Sequence, residues 1–163
     1  MDAKREMLRH FLAALAYRTQ KALRDAPEDF GGFRIARGVR TPRELVFHMA
    51  NVIGYARTFF VGDEYRPDPL ETLEEEVGRF HGLLESLGER FRTGSFDRMS
   101  PERFLQGPLS DAMSHAGQLA MLRRLAASPV APEDFIVADI DAANVGPDQP
   151  EPVSPDAEWH TPD

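Results

Sequence analysis

Thr41-Pro42-Arg43-Glu44-Leu45-Val46-Phe47-His48-Met49-Ala50-Asn51-Val52-Ile53-Gly54-Tyr55-Ala56-Arg57-Thr58-Phe59 is the stretch on which the fold turns. A threonine N-cap accepts a bond from the backbone three residues on, and a glutamate at that third position returns one. Proline is tolerated at the first helical position, where its missing N–H has no partner to lose. Thr41, Glu44 and Pro42 meet these conditions. Leu45, His48 with Met49, Val52, Tyr55 with Ala56, and Phe59 then recur every three or four positions. That period predicts an amphipathic helix with one face turned inward. It ends near Gly62, ahead of a loop carrying Pro67 and Pro69.

The same grammar continues on both sides. Thr72-Leu73-Glu74-Glu75 is a second capping box, opening a helix whose buried face is Val77, Phe80, Leu83, Leu84, Leu87 and Phe91. Gly78, Gly82 and Gly88 weaken it by about 1 kcal/mol each relative to alanine. Ser100-Pro101-Glu102-Arg103 predicts a short turn, and a last helix runs from near Pro108 to the stop at Ser128-Pro129. Its central stripe reads Asp111, His115, Gln118, Leu122, Leu125. Upstream, Met7, Leu8, Phe11, Leu12, Leu15, Ala22 and Leu23 predict a helix from Lys4 to Arg24, broken by Asp25-Ala26-Pro27 and Gly31-Gly32. Four helices with one apolar face each predict an all-α four-helix bundle over residues 1–129. Residues 130–163 are expected to form a proline-rich acidic arm partly packed on the bundle. Its apolar run from Phe135 to Ile140 lies extended there, and about the last 15 residues are loosely held.

A chain of 163 residues fits one domain with its own core. No apolar run reaches the roughly 20 residues of a membrane span, and the charged start Asp2-Ala3-Lys4-Arg5-Glu6 does not resemble a signal peptide. Cysteine is absent, which removes disulfides, thiolate metal sites and a cysteine nucleophile, and a cytoplasmic address is expected. The net charge of -8 is uneven: nine of the 27 acidic residues and none of the 19 basic ones follow Pro129. The bundle is therefore nearly neutral and the arm repels phosphates, so nucleic-acid binding is not expected.

Polar residues stand where core is expected. Asp111 and His115, four apart, share one helix face, and His48 holds the inward position between Leu45 and Val52. Two imidazoles and a carboxylate on facing helices are costly to bury unpaired. A divalent cation satisfies all three, and three protein ligands leave a position open for water or substrate. The donor types suit zinc, iron or nickel without choosing among them. Blander readings stand beside this one. His48 can be a hydrogen-bonded core histidine, Asp111 can serve a helix N-terminus, and Asp111 and His115 can simply pair. Gln118 is either a supporting donor or an ordinary polar residue.

The segment Asp111-Ala-Met-Ser-His115-Ala-Gly-Gln118-Leu-Ala-Met-Leu-Arg123-Arg124-Leu-Ala-Ala-Ser-Pro129 resembles the last bundle helix of the DinB/YfiT-like superfamily. There a His-x-x-x-His pair is followed by Gly-Gln and an apolar-arginine run. Thr41-Pro-Arg-Glu-Leu-Val-Phe-His48 resembles that family's second helix, which supplies its first metal histidine. The resemblance spans about residues 5–129 and implies an up-down-down-up bundle with a long crossover between helices two and three. It also implies homodimers and a divalent metal, often zinc or nickel, with iron or manganese as further candidates. By position the ligands are His48, Asp111 and His115; the departure is Asp111, where the family usually has histidine. Relatives include thiol-dependent transferases, which implies a low-molecular-weight thiol.

Three functions follow. The first is a metal-dependent transferase or hydrolase acting on a small electrophile, with Gln118 orienting the ligands or nucleophile. The second is a metal-stabilised dimer without turnover, associated with stress. The third is a metal-free interaction module. Tyr55, two turns below His48, is expected to pack, with donation to a bound molecule as its other role. His10 is read as a boundary residue, His81 as a surface residue, and Arg123-Arg124 as cations facing the helix dipole. Trp159-His160 belongs to the loose end, or folds back over the metal mouth.

Overall fold

The computed structural model describes residues 2–154. It comprises α1 (Ala3–Leu23), α2 (Pro42–Val61), α3 (Leu73–Thr93), the single turn α4 (Pro101–Phe104) and α5 (Ser110–Leu125). A 3-10 turn lies at Phe30–Gly32, and a π turn at Leu105–Leu109 joins α4 to α5. There is no β-sheet among the described residues. Both capping boxes form. Glu44 N donates to Thr41 Oγ1 at 3.2 Å while Thr41 N donates to Glu44 Oε2 at 2.8 Å, and Thr72 and Glu75 exchange the same pair of bonds. Gly62 closes α2 at φ 78°, a conformation that a Cβ would strain.

Contacts between helix ends fix the topology. Arg43, at the start of α2, donates to Leu70 O just ahead of α3, and the Phe60 and Phe91 rings meet near the far ends of both. α2 and α3 are therefore parallel. Arg5, at the start of α1, donates to Phe91 O and Gly94 O at 2.7 Å each, so α1 opposes α3. Lys4 meets Glu102, and Arg123 meets Ala22 O, so α5 runs with α1. The order is up-down-down-up. Leu12, Leu15, Met49, Ile53, Phe80, Leu84, Leu87 and Leu119 fill the middle without solvent contact. Phe91, Phe104 and the half-buried Phe60 and Phe96 close one end with ring centroids 5.2–5.9 Å apart. Each such pair is worth about 0.5–1.5 kcal/mol beyond the area it buries.

Parallel neighbours in sequence require the intervening chain to return along the whole helix. α2 has 20 residues, about 30 Å at ~1.5 Å per residue, and the crossover 62–72 is extended along it. Besides the Arg43 bond to Leu70 O, Arg79 Nη1 donates to Asp68 O at 2.9 Å, Leu70 N donates to the buried Glu76 carboxylate at 2.7 Å, and the Tyr65 ring lies over Gly54. A Cβ at residue 54 would stand 2.3 Å from that ring. Only glycine lets the crossover lie this close.

Several expectations change. The final helical stretch starts at Pro101, capped by the Ser100 side chain, so the expected short turn is its beginning and Pro108 lies inside it. Proline cannot donate to the preceding turn and clashes with it. The wider π turn absorbs both problems, and Ser110 Oγ satisfies Leu105 O at 2.6 Å. The buried face of α5 is Ala112, Ala116, Leu119, Leu122 and Arg123, whereas Asp111, Gln118 and Leu125 of the expected inward stripe are exposed. Met7 is exposed too. His10 is exposed rather than at a boundary.

His81, expected at the surface, and Arg123, expected to face its own helix dipole, are both buried. Arg123 donates to Ala22 O, Arg24 O, Asp25 O, Ser128 O and Ser128 Oγ, capping the end of α1 rather than its own helix dipole. His81 sits under the C-terminal segment with its Nδ1 2.7 Å from Val145 O. That segment is anchored differently from expectation. Ile136 is 93% exposed, and the anchors are Phe135 against Arg18 and Tyr17, Val145 on the core, and buried Glu133, which accepts from Tyr17 Oη and Lys21 Nζ. Arg24 donates to Gln149 O, so the described part of the last fifteen residues is tied down at that point. Trp159 and His160 lie outside the described residues.

Candidate metal centre

The up-down-down-up order makes α2 and α5 antiparallel neighbours, which is what brings His48 opposite Asp111 and His115. One helical turn separates the two α5 residues, so their side chains stack on the flank facing α2. His48 Nε2 is 3.4 Å from Asp111 Oδ2, and His115 Nε2 is 3.6 Å from Asp111 Oδ1. The imidazoles meet edge to face at 4.7 Å, and one donor atom from each of the three residues lies within 4.8 Å of the others. The three residues singled out in the sequence do converge.

Charge-assisted N–H···O bonds run at roughly 2.7–2.9 Å, and both contacts here are longer. Two ligands each about 2.1 Å from a tetrahedral ion stand about 3.4 Å apart. The two distances run to different Asp111 oxygens, so the three groups form a loosely paired cluster whose donor atoms lie close enough together to share a small divalent cation. The proton positions fit as well. Gln118 Oε1 lies 3.0 Å from His115 Nδ1. A carboxamide oxygen accepts only, so Nδ1 carries a hydrogen, and Nε2 is the ring nitrogen that faces Asp111. For His48, burial, then Arg40, then His115 push the pKa below the ordinary imidazole value against the pull of Asp111. A neutral ring is the state that ligates.

The site is less enclosed than the inward-stripe reading implies. The Asp111 side chain is 46% exposed and His115 only 11%. Nor does Asp111 serve a helix N-terminus, because the helical path begins ten residues earlier at Pro101. His48 and Asp111 open onto a cleft of about 1030 Å³, with Asn51, Val52, Tyr55, Gln106, Pro108, Ser110 and Ser114 on its helical walls. Tyr65, Arg66 and Pro67 of the crossover form the remaining wall. Tyr55, expected to pack, is 57% exposed there, with its ring 5.1 Å from Phe59. Gln118 does not line the cleft; it reaches His115 from behind, in a separate trough with Leu45 and Met121.

Asn51 and the crossover residues were not singled out from the sequence. A lone glycine at residue 54 within the helix pattern is the signal that a backbone or ring approaches closely there. Asn51 Oδ1 is buried and has no hydrogen-bond partner among the described residues. Fold and site together define an all-α four-helix bundle with a His/His/Asp cluster that could coordinate a divalent metal. No helix among the described residues is long and apolar enough to cross a membrane. The chain matches no family model, no curated protein and no solved structure.

Proposed function

We propose that this bundle is a DinB/YfiT-like metalloprotein and a metal-dependent enzyme acting on a small electrophilic molecule. The observation that carries the reading is the convergence of His48, Asp111 and His115, with His48 and Asp111 lining a cleft large enough for a small substrate. His48 Nε2, His115 Nε2 and an Asp111 carboxylate oxygen would hold the ion. Zinc or nickel are the first candidates, and iron or manganese are compatible with the same donors. A cation held by these residues would supply Lewis acidity, lowering the pKa of a thiol or water beside it toward neutrality.

The chain's own residues supply the rest. Gln118 fixes the His115 tautomer and ring orientation, which makes it a positioning residue. Val52, Tyr55, Tyr65 and Pro108 offer an apolar and aromatic wall for the body of the electrophile, and the Tyr55 hydroxyl is a donor available to it. No cysteine is present, so a thiol nucleophile must be a separate low-molecular-weight compound. The resemblance further supports a homodimer as the solution state.

The test is thiol-dependent consumption of 1-chloro-2,4-dinitrobenzene by metal-loaded protein, with His115→Ala as the control. The expected result is thiol-dependent turnover in the wild type that His115→Ala abolishes while its circular dichroism stays helical. Equal background rates in both proteins with several thiols and electrophiles would refute the enzymatic reading. A large fall in melting temperature on chelation, without turnover, would favour a metal-stabilised structural dimer instead.

A further inference from the structure

His81 lies outside the metal cluster, on the flank of α3 that the C-terminal segment covers, and is only 2% exposed. Its Nδ1 stands 2.7 Å from Val145 O. A carbonyl oxygen only accepts, so the neutral ring carries its hydrogen on Nδ1 and its lone pair on Nε2. That Nε2 is buried and has no hydrogen-bond partner among the described residues. Acid must place the second proton on this nitrogen. The new N–H then meets no acceptor, and the new charge is sealed from solvent.

The surroundings do little for an imidazolium. Glu85, one turn further along α3, favours it, but that carboxylate is exposed and therefore screened. Arg9 of α1, with Glu89 and Arg92 of α3, lines the groove beside Ala142 and Val145, and Glu89 and Arg92 pair with each other at 2.7 Å. On the covering segment, Asp141 and Asp148 are exposed. None of these groups gives Nε2 an acceptor. Burial accordingly outweighs both the Val145 bond and Glu85, and holds the ring neutral.

What covers the ring is the least regular part of the chain. Residues 139–154 form no helix or strand. His81 and the core hold Val145, Arg24 holds Gln149, Pro150 and Glu151, and Asp134 N donates to Ser154 O. Just before this stretch, Glu133 and Phe135 are anchored on Tyr17, Lys21 and Arg18 of α1. The stretch can therefore lift without them. Opening so few contacts takes less free energy than unfolding α3, and it hydrates the ring.

We infer that His81 is a pH latch: residues 139–154 close over the α1–α3 flank while its ring is neutral, and lift from that flank in acid. The latch is separate from the His48–Asp111–His115 cluster and does not depend on a metal. The sign follows from the two states. The lifted ring has the ordinary value of 6.5, and burial keeps the closed ring lower. Closure is thus complete above about pH 6.5 and weakens below it, until the closed form also takes up the proton.

The chain has no cysteine, so Val145→Cys supplies a single thiol at the latch. Its labelling rate with 4,4′-dithiodipyridine is compared with that of a peptide of residues 139–154 carrying the same substitution. The ratio gives the open fraction at each pH. Between about pH 7.5 and 5.5 that fraction should rise about threefold to tenfold, the upper end being the limit for one group of ordinary value that stays neutral when closed. It should also exceed, by at least about tenfold, the globally unfolded fraction from urea titration at the same pH. His81→Gln keeps a donor for Val145 O but does not titrate, so its open fraction should change by less than about twofold. A flat open fraction in the His81 protein, an equal rise in His81→Gln, or labelling that only tracks global unfolding would overturn the inference. The wild type gives a second reading by proton NMR. Its His81 ring should titrate below the ordinary value, and titration at the ordinary value with the segment still closed would overturn the latch as well.

Discussion

Gly54→Ala probes the joint between fold and cleft, because two opposing effects meet at one atom. Alanine is favoured over glycine in a helix interior by roughly 1 kcal/mol, and residue 54 lies well inside α2. Considered alone, the substitution should stabilise. The new Cβ, however, would lie 2.3 Å from Tyr65 Cδ1 and Cε1 and 2.8 Å from Cγ. These atoms belong to the near side of a rigid ring, so no rotation of a flexible end relieves the overlap. The ring must leave its seat. Losing about half of an aromatic side chain's burial costs about 1–1.5 kcal/mol, and residual crowding adds about 1–2 kcal/mol. The net expectation is destabilisation by about 1–2.5 kcal/mol in urea unfolding. Leu70, bonded through its N–H to Glu76, reports the crossover directly, and its amide should exchange faster with solvent. Affinity of the His48 cluster for metal should change little, since His48 sits nearly two turns away. A variant that is more stable, with Leu70 as protected as in the wild type, would refute the seating of Tyr65 in the glycine notch.

Further consequences can be checked with similar means. Arg123→Met strands the carbonyls of Ala22, Arg24 and Asp25 at the end of α1, and should cost about 3–5 kcal/mol in denaturant unfolding; a loss under 1 kcal/mol would contradict the capping role. Gln118→Ala removes the acceptor behind His115 and should weaken metal affinity about 10–100-fold with helicity unchanged, as read by competition with a chromophoric chelator. Unchanged affinity would make Gln118 an ordinary surface residue. Burial holds the His81 pKa below the ordinary 6.5, so the unfolded chain takes up the proton first as pH falls. Stability should therefore be full above about pH 6.5 and decline below it toward the lower folded value. His81→Gln should flatten part of that decline, and an identical slope would show that His81 does not contribute.

What was legible in the sequence was mostly local. Thr41 with Glu44 and Thr72 with Glu75 lie three residues apart, and their bonds form within one turn whatever surrounds them. The buried face of α3 was readable because Phe80, Leu84, Leu87 and Phe91 are large and regularly spaced. α5 was harder. Its inward face uses the small residues Ala112 and Ala116, and an arginine, while the eye follows the polar line Asp111–His115–Gln118 along the neighbouring flank. Pro108 looked like a beginning, although a π turn lets it sit inside a longer helical path. Arg123 and His81 find their partners in α1 and at Val145, far along the chain, and no spacing rule shows such pairings. For the same reason the three donors of the cluster were legible, but not the cleft, whose outer wall comes from the crossover.

The most direct measurement is an anomalous-scattering map from crystals of protein purified without nickel-affinity chromatography and supplied with zinc. The account predicts one peak at the α2–α5 flank, within bonding distance of both imidazole Nε2 atoms and an Asp111 oxygen, and its loss in His115→Ala crystals. Side chains that stay in place around solvent alone, with the metal in excess, would contradict it.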